Sequence, residues 1–337
     1  MKNFLKIWIG TICLMVFCMV VVGGVTRLTH SGLSIAEWKP IMGALPPVHE
    51  KDWQDVFQKY QQTPEYQKIN QGMSLHEFKK IFFWEYLHRL LGRLIGVVFL
   101  VPYLFFLLTK RLQGRLAKRL ALGFVLGGLE GVMGWLMVKS GLVNRPQVSH
   151  YRLAAHLVIA FLIFAWFFWI LLGLVLGEKS DEGERRSLKT FSWILLGFTS
   201  LEVVYGAFVA GLKAGFVYNT FPTMDGEWLP TGFWALEPRW VNLFENSTSV
   251  QFIHRWIAMT LSLSIVGFYM YARRFILTDT QRRSICLLLM AVVLQVSLGI
   301  STLLLRVPLS LAVLHQAGAF VLFAAILSVV FTLRAPS

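Results

Sequence analysis

Eight apolar runs, each long enough to cross a bilayer, leave few folds open to this chain. They lie near 7–26, 81–108, 119–138, 151–177, 190–211, 251–272, 284–305 and 309–333 of 337 residues. A helix needs about 20 apolar residues to cross ~30 Å of hydrocarbon, and in lipid it must satisfy its own backbone hydrogen bonds. The chain is therefore expected to be an all-α membrane protein with eight transmembrane helices. Composition agrees, with 56% hydrophobic and 15% charged residues and a mean hydropathy of +0.60. A soluble domain carries about 25% charged residues. The net charge of +14 invites a nucleic-acid reading, but the basic residues flank apolar runs and form no stripe among aromatics. Topology explains them, and no nucleic-acid partner is expected.

Basic residues cluster in the short connectors. Lys110, Arg111, Arg115, Lys118 and Arg119 precede or open the third run. Lys179, Arg185, Arg186 and Lys189 follow the fourth, and Arg273, Arg274, Arg282 and Arg283 follow the sixth. With Lys2, Lys6 and Arg334 they put both termini and these connectors in the cytoplasm. The longer loops 27–80 and 212–250 then face outward, and the first is expected to hold short interfacial helices at 52–60 and 74–80. Cys13, Cys18 and Cys286 all fall inside apolar runs without a C-x-x-C, so neither a disulfide framework nor a cysteine metal site is indicated. Residues 1–26 start basic and lack a small-x-small cleavage site, so they read as a retained helix.

One stretch occurs twice. Trp84-Glu85-Tyr86-Leu87-His88-Arg89 and Val250-Gln251-Phe252-Ile253-His254-Arg255 each open a long run, close to half a chain length apart. Glu130 to Gly134 parallels Gln295 to Gly299, and Ala155-His156 parallels Leu314-His315. Four runs per half give both halves one orientation, with a pseudo-two-fold axis along the membrane normal. Two four-helix bundles are expected, 1–178 and 190–337.

His30, His49, His76 and His150 lie in or beside loops and read as solvated residues. His88, His156, His254 and His315 share one depth in the outer halves of the even-numbered runs. A single intramembrane histidine often serves as an interhelical hydrogen-bond partner. Four at one depth, two per repeat, point instead to bis-axial ligation of haem iron in each bundle. Zinc would want further ligands, and none falls in register. Arg89, Arg93, Arg152 and Arg255 sit within a turn or two and are candidate propionate contacts, the alternative being snorkelling to headgroups. The halves differ, because Glu85 and Glu130 stand where the other half has Gln251 and Gln295. A carboxylate in the membrane is expensive and points to function. Glu85, three positions before His88, is read as reactive. Glu130 and Glu202 are read as protonated groups bonded across helices. The halves thus look like one reactive site and one electron-transfer site.

At these residues, and at Gly23-Gly24-Val25-Thr26-Arg27-Leu28-Thr29 with Ser31-Gly32-Leu33-Ser34, the chain resembles the CtaA family of haem A synthases. The likeness runs over essentially the whole chain. It implies eight helices in two pseudo-symmetric bundles and oxidation of the C8 methyl of haem O to a formyl group, through successive hydroxylations, giving haem A for cytochrome oxidase. His88 and His156 would hold the substrate haem, His254 and His315 a resident haem b, and Glu85 would be the catalytic carboxylate. Residues 27–80 contain no Cys, so the chain resembles the cysteine-free branch that includes the mitochondrial forms. With no Arg/Ser-rich presequence before Met1, a bacterial inner membrane is expected, with the haem sites toward the periplasm. The pathway implies partnership with haem O synthase or oxidase assembly factors, and an electron donor that the residues do not identify. The alternative is a dihaem b-type electron-transfer subunit. Such proteins often put two ligands on one helix at two depths, unlike the pattern here. A carrier without chemistry and a proton-coupled transporter fit less well, since nothing in the pattern requires broken helices.

Overall fold

The structure, a computed structural model, describes residues 2–37, 45–143, 147–177 and 186–334; Lys179 and Arg185 of the second basic connector lie outside them. Among the described residues every regular element is helical, and eight helices are long and apolar enough to span. The spanning helices are α1 (Lys2–Leu28), α4 (Leu75–Leu108), α5 (Gly114–Val143), α6 (His150–Leu176), α7 (Arg186–Gly211), α9 (Ser247–Ala272), α10 (Asp279–Leu304) and α11 (Leu309–Thr332). Between them lie the short α2 (Glu50–Gln61), α3 (Pro64–Lys68) and α8 (Asn242–Glu245). The eight expected spans are all present.

Local chemistry sets several boundaries. Ser74 caps α4 through a capping box with Glu77, and Thr278 caps α10 in the same way with Gln281. The Asn246 side chain accepts from the Thr248 N–H to start α9. Residues 74–80, expected as a separate interfacial helix, are instead the first turns of α4. The capping box starts the helix before the apolar run begins, and no Gly or Pro interrupts it there. At 34 residues, α4 is about 50 Å long, well beyond the ~30 Å hydrocarbon layer.

The chain divides into two compact units, Gly10–Phe167 and Phe168–Ser337, the latter including Met1–Ile9. In the first, α2 packs on the first turns of α4, and α3 packs on α2 and α5. Tyr60 and Phe78 are fully buried there and stack at 5.1 Å, while Trp53 meets Phe82 edge-on at 5.0 Å. These contacts make the segment between α1 and α4 a folded cap.

In the second unit, the apolar core takes its buried members from one end of the bundle. Leu188 and Leu195 come from the start of α7, Leu261 to Phe268 from the latter part of α9, Ile285 and Leu288 from the start of α10, and Ile326 to Val330 from the end of α11. His254 and His315 lie at the other end of these same helices. The polar chemistry is therefore kept apart from the fully packed half.

Candidate functional site

Each of the four spanning histidines lies against a glycine of the preceding spanning helix. His88 meets Gly23, His156 meets Gly134, His254 meets Gly206 and His315 meets Gly299. A Cβ added at those glycines would stand 3.0, 3.0, 3.4 and 2.9 Å from Cε1 of the ring in turn. Only glycine lets the helix backbone approach the imidazoles this closely at three of the four positions. The rings also pair, His88 with His156 in the first unit and His254 with His315 in the second, each pair within electrostatic reach.

One turn before the glycine, three of the four helices present a polar group to the ring. Oε1 of Glu130 lies 3.1 Å from Nδ1 of His156, and Oε1 of Glu202 lies 2.9 Å from Nδ1 of His254. The amide of Gln295 lies 3.2 Å from Nδ1 of His315. Such partners fix the tautomer and orientation of a ligating imidazole. Glu130 and Glu202 do reach across to a neighbouring helix, and in both cases the group they reach is a histidine. Glu202 therefore gives the second unit a carboxylate of its own, beyond the Glu-for-Gln differences visible in the repeat. Among the described residues these rings make their polar contacts through Nδ1, which leaves Nε2 for another partner. No group of three or more His, Cys, Asp or Glu among the described residues is arranged for a metal ion. Paired imidazoles with anchored rings suit the two axial positions of a haem iron, which needs no further protein ligand.

Glu85 is 2% exposed and fully engaged. Its Oε2 accepts from the Ser34 hydroxyl at 2.7 Å and the Ile35 N–H at 2.8 Å, and its Oε1 pairs with Arg89 Nη2 at 2.5 Å. Arg89 also donates to the carbonyls of Ile35 and Glu37, both at 2.9 Å. The Glu85–Arg89 pair, one turn apart on α4, thus straps residues 34–37 against the helix that carries His88. In the second unit the matching residues do the same work with different chemistry. Gln251 donates to the Tyr218 carbonyl at 2.9 Å, while Arg255 donates to Tyr218 at 2.9 Å and to Thr220 at 2.7 Å. A carboxylate gathers N–H and O–H donors, whereas an amide and a guanidinium gather carbonyls.

Of the candidate propionate contacts, Arg89 and Arg255 are committed in part to these straps. Arg152 donates to the Leu136 carbonyl at 2.6 Å, and Arg93 is half-buried on α4. Arg89 also lines a cavity of about 260 Å³ with Ile35, Glu37, Trp135 and Lys139. His150, expected to be solvated, is 9% exposed, its ring 4.0 Å from that of Tyr151. The straps and the Glu202–His254 contact were missed by sequence reasoning. The signal for the contact was present, since Glu130, Glu202 and Gln295 each stand four residues before the glycine facing a histidine.

Residues 6–327 match the model of the COX15-CtaA family, described as cytochrome oxidase assembly protein. Among relatives, the chain is 51% identical over 333 residues to a protein of Nitrosospira multiformis named heme A synthase, covering 98% of this chain and 93% of that one. It is 49% identical to the heme A synthase of Nitrosomonas eutropha, covering 96% and 92% of the two chains. With the heme A synthase of Rhodospirillum centenum it shares 47% identity over 98% and 88%.

Proposed function

The chain belongs to the COX15-CtaA family of cytochrome oxidase assembly proteins, and from that membership we propose that it oxidises haem O to haem A in a bacterial inner membrane. It is an oxidoreductase of haem A biosynthesis. The observation that carries the finer reading is the twice-built pair of glycine-cradled histidines, each pair in its own unit.

In this reading the 1–178 bundle takes the substrate, with His88 and His156 as axial ligands of haem O. The 190–337 bundle holds a resident haem b through His254 and His315, which supplies electron transfer when bound. The residues fit these groups. The Nδ1 contacts of His156, His254 and His315 leave Nε2 as the atom that would hold iron, and the packed core of the second unit leaves the histidine end to polar and small residues. Both termini are assigned to the cytoplasm and the histidine ends to the periplasmic side. Arg89 and Arg93 in the first bundle, with Arg152, are assigned to substrate propionates, and Arg255 to those of the resident group. Lys139, across the cavity from Arg89, adds positive charge there.

The reaction would take the C8 methyl of haem O to an alcohol and then a geminal diol, each a two-electron oxidation by an oxidant that this chain's residues do not supply, and the diol would lose water to give the formyl group. Glu85 is the assigned catalytic carboxylate. Its Oε2 accepts from Ser34 and Ile35 and its Oε1 pairs with Arg89, so donors fix both oxygens in place. That arrangement favours electrostatic stabilisation of positive charge developing at the porphyrin edge during oxidation. The strap also keeps residues 34–37 over the same helix and limits water there. The electron donor is left open, and haem O synthase and oxidase assembly factors are the partners the pathway implies.

Replacing Glu85 by Gln tests the assignment. The variant is expected to bind haem at wild-type stoichiometry while haem A output falls at least about 100-fold, the scale on which loss of a preorganised electrostatic group acts. Ser34→Ala, which loosens the strap without changing charge, is expected to lose far less. Unchanged haem A production by Glu85→Gln would remove Glu85 from the mechanism. The competing dihaem electron-transfer reading is favoured by no contact here, because each unit supplies one histidine per helix.

A further inference from the structure

The four histidine sites share one local design, and one of them departs from it. A spanning helix places glycine against the ring and, four residues earlier, a polar side chain at Nδ1. Glu130 precedes Gly134, Glu202 precedes Gly206 and Gln295 precedes Gly299 by that interval. The residue four before Gly23 is Met19. A thioether is at best a weak acceptor. Buried Nδ1 atoms of His88, His156 and His254 all lack a directed hydrogen bond among the described residues, but His156 and His254 have a carboxylate oxygen at 3.1 and 2.9 Å while His88 has none. The Met19 methyl lies beside Gly92 of α4, one turn beyond His88 on the same helix face, so its tip is directed past the ring.

We propose that His88 is the releasing ligand of the substrate site: the iron–His88 bond is the one that opens when haem O enters and haem A leaves. This rests on the reading of the two histidine pairs as haem sites. An imidazole held at Nδ1 is fixed in tautomer and direction and is the more basic ligand; one without that partner pays more to be aligned and donates less electron density. Both rings of the second unit are anchored, by Glu202 and Gln295, as a permanently bound group requires. In the first unit a carboxylate stands beside the His156 ring and none beside the His88 ring. Release would then run in order, the His88 bond opening first and the His156 bond second, and entry would run in reverse. Each is a simple dissociation or association in which the Fe–N bonding pair stays on nitrogen and no oxidation state changes.

The test uses full-length purified protein carrying its haems in detergent micelles, mixed with excess apomyoglobin, with haem transfer followed by absorbance. Two phases are expected, the faster from the first unit and faster still in His88→Ala, which begins in the opened state. Met19→Gln and Met19→Glu, which supply the missing acceptor, should slow the fast phase about tenfold and leave the slow phase unchanged. In the opposite sense, Glu202→Met should speed the slow phase about tenfold, and it keeps the idea testable if the Met19 variants fold poorly. A fast phase unaffected by either Met19 variant while their haem spectra stay intact would overturn the proposal. So would a fast phase that belongs to His254 and His315, or a slow phase indifferent to Glu202→Met. Absence of bound haem in the wild-type protein would instead overturn the haem reading itself.

Discussion

Between each spanning histidine and its glycine there is room for a hydrogen atom and little more, and the room differs among the four. At Gly134 and Gly299 a new Cβ would stand 3.0 and 2.9 Å from the imidazole, closer than side chains pack, so the ring must shift. At Gly206 the distance is 3.4 Å, an ordinary contact. Overpacking of this kind typically costs about 1–3 kcal/mol, and here the strain falls on a proposed ligand. Gly134→Ala and Gly299→Ala are expected to lower the haem bound per protein, measured by pyridine haemochrome absorbance, while Gly206→Ala keeps it near wild type. Equal losses at all three would mean that the cradles do not position the rings. The histidines themselves were legible in the sequence because charge and polarity stand out in apolar runs. Their glycines were less so, since small residues also serve general helix packing in membranes. Glu202 was visible as an intramembrane carboxylate, but its partner lies 52 positions away in sequence and needed the packing of α7 on α9 to appear.

Two kinds of element hold the histidine ends of the helices. The loop 218–223 is tied to α9 by Arg255 and Gln251, and charge-assisted bonds to carbonyls are worth roughly 1.5–3 kcal/mol each. Arg255→Ala is therefore expected to lower stability by about 2–4 kcal/mol and to speed proteolysis within 218–231, read by limited chymotrypsin digestion at Tyr218 or Trp228. Digestion at the wild-type rate would show that the strap is held by other contacts. Between α1 and α4, Glu65 is 4% exposed and receives a 3.5 Å hydrogen bond from Tyr60, whose hydroxyl in turn accepts from Asn70 at 2.7 Å. Burial, and then the charge of Glu85, raise the Glu65 carboxyl from 4.5 to about 7, with the Tyr60 bond opposing. The folded cap thus holds the Glu65 proton more tightly than the unfolded chain does. Its stabilising contribution is whole below the unfolded value near 4.5 and is lost as pH rises through about 7. Amide exchange in α2 and α3 should accordingly speed up from pH 5 to pH 8 beyond the intrinsic trend. In Glu65→Gln that extra dependence should vanish; its persistence would place the titrating group elsewhere. These loop contacts were not readable from sequence, because turns that bring Ser34 to Glu85 or Tyr218 to Gln251 leave no periodic pattern. The extension of α4 was missed for a related reason, since its first turns are polar and amphipathic where a span is recognised by apolar length.

At the scale of the whole chain, hydropathy alone gives the eight helices, because bilayer thickness and backbone satisfaction restrict each run to one solution. The duplication gave the pairing of histidines by chain position, and family membership extends over residues 6–327. Sequence reasoning could not say which polar side chains face which rings, since that depends on helix rotation and on contacts one turn apart on neighbouring helices. The central claim is that one bundle holds a haem as substrate and the other holds one as cofactor. The most direct measurement is acid-acetone extraction and chromatography of the haems from the purified protein, paired with a reduced-minus-oxidised spectrum of the intact sample. Haem b together with haem O or haem A is the expected result, with His254→Ala or His315→Ala losing haem b and His156→Ala losing the other. Haem b alone at two equivalents per chain would contradict it and make the protein an electron-transfer subunit.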